Sequence, residues 1–290
     1  MLPSNPLRGE AIFSAPVKTL LPVSLGVSAI ALLTFLSAVP ALLADTPPKK
    51  ISLADFPANS VQDVVVPVPR EIFAVLDKLG NPNWKGEMRT DKIHVTQDRA
   101  RNALLLGNVI AEGFVAVEAE DAERVKDLGR EVLQLADSIN VKKSVIARSK
   151  SITDKADQRD WRGVREEFDG ALQDVRGAMQ EMNDQDLSQI VSLGGWLRGT
   201  EVLTSIVGKQ FSKDGAELLH QPELVRYFGS CIGSMTHFRK NPLVADVRGV
   251  LAKIGPIVDE EGDQITAAQV ANIHELTRAV NARITGEVLP

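Results

Sequence analysis

The sequence predicts an all-α fold: a multi-helix bundle around a buried central helix, preceded by an extended Pro-rich tether. Three observations carry that expectation. The stretch Asp186–Phe211 (DLSQIVSLGGWLRGTEVLTSIVGKQF) reads as a helix apolar on nearly every side, the pattern of a helix touched from several directions. Elsewhere apolar residues recur at spacings of three and four, and no alternating strand pattern competes with them. Of the 290 residues 44% are hydrophobic but only 4% aromatic, so Ala, Val and Leu must build the core, which suits helix-on-helix packing.

The first 44 residues form an expected signal peptide or N-terminal membrane anchor. Arg8 and Lys18 precede an uncharged apolar run, Thr19–Ala44, that closes on small residues and Pro40. Cleavage after Ala41 or Ala44 fits a secretory signal, while about 20 apolar residues also suffice to span a bilayer. Either way the remainder is expected to be exported, facing the periplasm or cell envelope. Residues 45–69 carry five prolines and no helical period, the pattern of an extended linker or surface strap. Val64–Val66 could pair as a strand, but no partner strand is evident and the segment reads as irregular.

Residues 70–290 are the expected bundle domain. Pro69 opens a short helix with Ile72, Phe73, Leu76 and Leu79 on one side, ending at Gly80. After a polar loop around Lys85–Thr96, Gln97 or Asp98 opens the longest helical pattern, which runs to about Ile139. As one helix it would be roughly 60 Å long, with Gly113 and Gly129 as natural bends. A shorter helix follows over Lys142–Ile152. Asp160 caps the next, whose seam is Trp161, Val164, Phe168, Ala171, Val175, Ala178 and Met182. Asn183-Asp184 turns the chain into the central helix, where Leu193, Trp196, Leu203, Val207 and Phe211 share one face. Pro222 starts a helix to about Phe238, and Asn241-Pro242 starts another that Gly255-Pro256 kinks or ends. A capping box, Thr266 to Gln269, opens the last, with Val270, Ile273, Leu276, Val280 and Ile284 on its apolar side. No internal repeat is visible.

Two constellations stand out. Ser192, Gly195 and Gly199 form a stripe of small residues on the central helix, matched on the long helix by Ala103, Gly107 and Ala111; the two stripes are expected to meet. Glycine in a helix costs about 1 kcal/mol against alanine, so this glycine density needs a reason, and close helix packing supplies it. The second constellation is Arg198 and Glu201, with Asn108 and Glu112 as counterparts on the long helix. Charges on a helix buried all round must be paired. These four residues form either a structural network or a polar ligand site.

Other chemistries find little support. The formal charge of −5 argues against nucleic acid, which asks for a basic stripe. One cysteine, Cys231, excludes an internal disulfide and Cys-based zinc sites. The ferritin-like metal scheme needs two Glu-x-x-His helices, and the chain has one such motif, Glu217–His220, at a helix end before Pro222. No metal or cofactor is expected. Membrane contact is expected only through an uncleaved N-terminal segment. The favoured function is an exported, non-enzymatic helical binding or interaction protein for an unknown protein or small ligand. The alternative is a small-molecule, anion or metal binding protein, with or without catalysis, whose polar site lies in the bundle core. Geometry separates the two: convergence of Glu112, Arg198 and Glu201 on a cavity of a few hundred Å³ favours the second, and mutual packing without a void favours the first.

Overall fold

The computed structural model describes residues 59–61, 64–66, 82–90, 92–259 and 265–287. The N-terminal 44 residues, most of the linker and the helix expected from Pro69 to Gly80 lie outside the described residues. The described part is an all-α assembly with one small exception. Strand β1 (Asn59–Val61) pairs antiparallel with β2 (Val64–Val66), Ser60 opposite Val65. This corrects the irregular reading of Val64–Val66. The missing partner is the preceding triplet, too short to show a period.

The helices are α1 (Trp84–Glu87), α2 (Arg99–Glu118), α3 (Ala122–Ser138), α4 (Lys142–Asp157), α5 (Trp161–Glu181), α6 (Gln185–Lys209), α7 (Lys213–Glu217), α8 (Pro222–Ser234), α9 (Pro242–Val258) and α10 (Ala267–Thr285). The expected central helix is α6, buried along most of its length. It packs on α2, α5, α8 and α10, while α2 also meets α3 and α5. Helix α2 is long and apolar enough to cross a bilayer, yet its apolar window is almost wholly enclosed by its neighbours. These two core helices position everything that follows.

The expected long helix is two helices. Glu120 adopts a left-handed conformation (φ 53°), which stops α2, and the Asp121 side chain accepts the Arg124 N–H to start α3. Periodicity missed the break because both helices carry apolar stripes and only three residues separate them. The break falls at Glu120 rather than at Gly113 or Gly129. A Cβ at Gly113 would lie 2.5 Å from the Phe168 ring, and one at Gly129 would lie 3.1 Å from Ile152, so each makes room for a neighbouring side chain.

The same turn recurs at four successive junctions. Glu120, Asn140, Arg159 and Asn183 all have positive φ, between 53° and 68°. Each donates its N–H to the carbonyl three residues back, and the following residue donates to the carbonyl five back, at 2.8–3.1 Å. That is the Schellman closure of a helix C-terminus. The second residue of each pair, at 121, 141, 160 and 184, is already the N-cap of the next helix. Asp121, Asp160 and Asp184 cap through their side chains; Val141 makes no such bond. Helices α2 to α6 are therefore joined by one repeated backbone device that the side chains do not advertise.

Smaller boundaries also shift. Helix α4 runs on to Asp157 rather than stopping at Ile152. Helix α8 ends at Ser234 because Met235 turns to extended backbone (ψ 101°). Helix α9 passes through Gly255-Pro256 to Val258. Proline there falls in the last turn, where one lost hydrogen bond costs little continuity. The α5 seam is buried at Val164, Phe168, Ala171 and Val175, while Met182 at its end is exposed. Phe211 lies past the end of α6 and is exposed, unlike the other four members of its expected face.

Candidate functional site: a buried ion cluster between the core helices

The site begins with backbone contact. A Cβ placed on Gly107 would stand 1.9 Å from the Val191 carbonyl oxygen and 2.6 Å from the Gly195 nitrogen. One placed on Gly194 would stand 2.0 Å from the Leu104 carbonyl oxygen. Helices α2 and α6 thus rest main chain on main chain, at a distance only glycine allows. Gly107 and Gly195 come from the expected stripes. Gly194 lies outside them and supplies the reciprocal half of the contact. Ala103, Ala111 and Gly199 are buried nearby, and the Ser192 hydroxyl turns back to Ser188 O in its own helix at 3.2 Å.

Close approach brings four expected polar side chains together with two unexpected ones. Arg198 Nε donates to Glu112 Oε2 at 2.8 Å, and its Nη1 faces Glu201 Oε1 at 3.4 Å. Its Nη2 donates to the carbonyl of Glu87 at the end of α1. Arg89, from the loop after α1, donates through its backbone N–H to Glu112 Oε1 at 2.6 Å and through Nη1 to Asn108 Oδ1 at 2.8 Å. It also pairs with Glu201 Oε2. Asn281 on α10 donates to Glu201 Oε2 at 2.7 Å and to Leu197 O at 3.0 Å. Asn108 donates to Gly194 O and to Asn281 Oδ1. Two guanidinium groups meet two carboxylates, and none of the six side chains keeps a sealed polar atom without a partner. The cluster is closed on itself.

Protonation follows from this closure. Burial pulls the Arg198 guanidinium down, but Glu112 and Glu201 more than offset it and leave it above its ordinary value. Burial pushes the Glu201 carboxyl up, but Arg198, Arg89 and the Asn281 hydrogen bond outweigh it and hold it below the usual carboxylate range. Arg89 is drawn down by burial and by its like-charged neighbour Arg198. Comparison with known proteins gives no match: no family model, curated protein or solved structure is similar to this chain. The cluster must therefore be interpreted from its own geometry.

That geometry leaves little room. A cavity of about 30 Å³ borders the cluster, lined by Arg89, Asn108 and Glu112 on one side and Arg124 and Glu131 on the other. It is on the scale of one or two water molecules. Both Glu112 oxygens already accept from arginine residues, so this donor set does not suit a cation. Among the described residues no three His, Cys, Asp or Glu side chains gather as metal ligands. Glu217 ends α7 and His220 lies in the turn beyond it. A larger hollow of about 190 Å³ lies at the C-terminal end of α6, bordered by Glu87, Val207, Lys209 and Gln210, and does not include the cluster.

Across the small cavity Arg124 Nη1 meets Glu131 Oε1 at 3.0 Å, while Arg124 Nε and Glu131 Oε2 are sealed without partners. Burial pushes the Glu131 carboxyl up, against the pull of Arg124. A carboxyl whose folded pKa is raised contributes stability that is present below its unfolded pKa and is lost as pH rises through the folded one. Wild-type stability should therefore carry a downward component with pH just above the ordinary carboxyl value. Glu131→Gln should flatten that component, as read by urea midpoints across pH 4–7, whatever its effect on absolute stability. Curves that stay parallel would show that Glu131 ionises normally.

Sequence reasoning missed Arg89, Asn281 and the Glu87 carbonyl. Asn281 was discoverable: Val270, Ile273, Thr277, Asn281 and Ile284 continue one stripe, so a polar residue interrupts the apolar face of α10. Glu87 ends a four-residue helix in a polar loop and Arg89 lies just past it, with no period to single them out.

Proposed function

We propose that this chain is an exported, non-enzymatic helical binding or interaction protein. The observation that carries the reading is the closure of Glu112, Arg198 and Glu201 on one another and on Arg89 and Asn281, with a neighbouring cavity of only about 30 Å³. Ligand sites for small molecules are typically ten times that size. A cluster with its charges cancelled and its hydrogen bonds taken fixes the register of α2, α6 and α10, and leaves binding to surfaces outside the core. Export rests on the sequence of the first 44 residues, with their basic start and uncharged apolar run.

Native mass spectrometry on protein recovered from the envelope fraction tests both parts. The expected species is a chain in that fraction, alone or with a protein partner, carrying no small molecule that depends on Arg198. A reproducible added mass that disappears in Arg198→Ala would return the function to the core cluster. Full-length chain confined to the soluble cytosolic fraction would overturn export.

A further inference from the structure

The hollow of about 190 Å³ at the C-terminal end of α6 combines two kinds of surface. Pro82, Ile206 and Val207 give it apolar walls that are half-buried or buried, while Lys209 and Ser212 on its border are exposed. The Glu87 carboxylate joins them, on a side chain only 7% exposed. Its Oε1 pairs with the ammonium of Lys209, a side chain 57% exposed. Its Oε2 accepts no hydrogen bond among the described residues, yet it is not sealed from solvent. Glu87 is also fixed in place. Its backbone carbonyl is held by Arg198 Nη2, and Trp84 at the other end of α1 is buried.

The end of α6 adds further acceptors. The Gln210 N–H closes on Ile206 O at 3.3 Å, but the carbonyls of Val207, Gly208 and Lys209 receive no backbone N–H among the described residues. Unpaired carbonyls at a helix C-terminus concentrate negative potential there. An open carboxylate oxygen beside such a helix end asks for a cation that brings its own N–H donors. A bare divalent ion would want six or more oxygen ligands and has no use for three apolar walls. An anion would meet a buried carboxylate, and Lys209, the cation on the border, is already paired with it. An apolar cavity of about 150 Å³ takes up benzene, so the hollow admits a body of that scale behind the charged head. Lys209 is a weak obstacle, because a flexible, exposed lysine loses little by returning its ammonium to water.

We propose that the hollow at the end of α6 binds a primary ammonium carried on a small apolar body. Glu87 is its counter-ion, the α6 carbonyls are further acceptors, and Lys209 is a tethered competitor for the same carboxylate. The site gives the binding reading a ligand class, and it rests on that reading in lying outside the Arg198 cluster.

Titration calorimetry at constant ionic strength tests it with benzylammonium chloride, run against benzyl alcohol, which has the same body without the charge. Wild type should bind the amine and not the alcohol. Glu87→Gln should weaken binding roughly tenfold or more, the worth of a hydrogen bond to a charged group. Lys209→Gln should strengthen it several-fold by removing the competitor, and Lys213→Gln, an equal change of charge at an exposed neighbour, should leave it nearly unchanged. Lys209 is exposed at a helix end, so its variant keeps the site testable if Glu87→Gln does not fold. A blocked peptide with a single lysine, run against its acetyl-lysine twin, separates the sources. Binding of benzylammonium assigns the site to a free amine, and binding of the lysine peptide alone assigns it to an ammonium presented by a partner chain. Binding of neither, equal binding of benzyl alcohol, or affinities unmoved by both Glu87→Gln and Lys209→Gln would overturn the site. Such a failure leaves the interaction reading standing, because that reading is judged by the species recovered from the envelope fraction.

Discussion

Gly107→Ala should be among the most damaging single-methyl substitutions in the protein. The added carbon would land 1.9 Å from the Val191 carbonyl oxygen, and the clash is with main chain, which no rotamer can relieve. Helices α2 and α6 must then separate, and in doing so they strain every bond of the ion cluster between them. A loss of about 3 kcal/mol or more is expected, at or above the usual range for overpacking. Gly194→Ala should behave alike through Leu104. Gly249→Ala is the internal control. Nothing lies within 4 Å of its new carbon, and alanine in mid-helix should gain up to about 1 kcal/mol. Urea unfolding of the three variants checks the ordering. A Gly107→Ala protein as stable as wild type would mean that the helices are not in main-chain contact.

Arg198→Ala should cost about 3–5 kcal/mol, the range for removing one partner of a buried pair. It strips Glu112 Oε2 of its hydrogen bond and removes one of the two cations that hold Glu201 ionised. Because the neighbours act as a unit, the losses should not add. Arg198→Met combined with Glu112→Leu should be considerably more stable than the sum of the single changes, giving a coupling energy of about 1 kcal/mol or more in a double-mutant cycle. The cluster should also register in acid. Glu201 is held below the usual carboxylate range, so its contribution is present above its unfolded pKa and is lost as pH falls through the folded one. Additive losses would argue that Arg198 and Glu112 do not share one network.

Much of this site was legible from residue types. Arg198 and Glu201 on a helix otherwise apolar all round demanded partners, and Asn108 and Glu112 on the second apolar helix were the natural ones. The glycine density pointed to close packing, although the contact uses Gly194 where the stripe pointed to Gly199. Burial of α6, the Asp160 cap and the Thr266–Gln269 capping box were written in local pattern. What escaped had no period to betray it. The stop at Glu120 looks like one more polar residue in a helical run, since a left-handed residue other than glycine leaves no compositional mark. Arg89 reaches the cluster from a loop, and loop residues are placed by the fold around them.

The four repeated turns between α2 and α6 make this stretch tolerant of spelling and intolerant of counting. Their hydrogen bonds are made by the main chain, so Glu, Asn and Arg all serve at the left-handed position. An inserted or deleted residue is another matter. With no slack between the end of one helix and the cap of the next, a single insertion rotates the following helix by about 100°. That turns its buried stripe toward solvent and carries Arg198 away from Glu112. Two chains could therefore share this architecture with few junction residues in common, provided the helix lengths between turns agree. What the junctions transmit is distance along the chain.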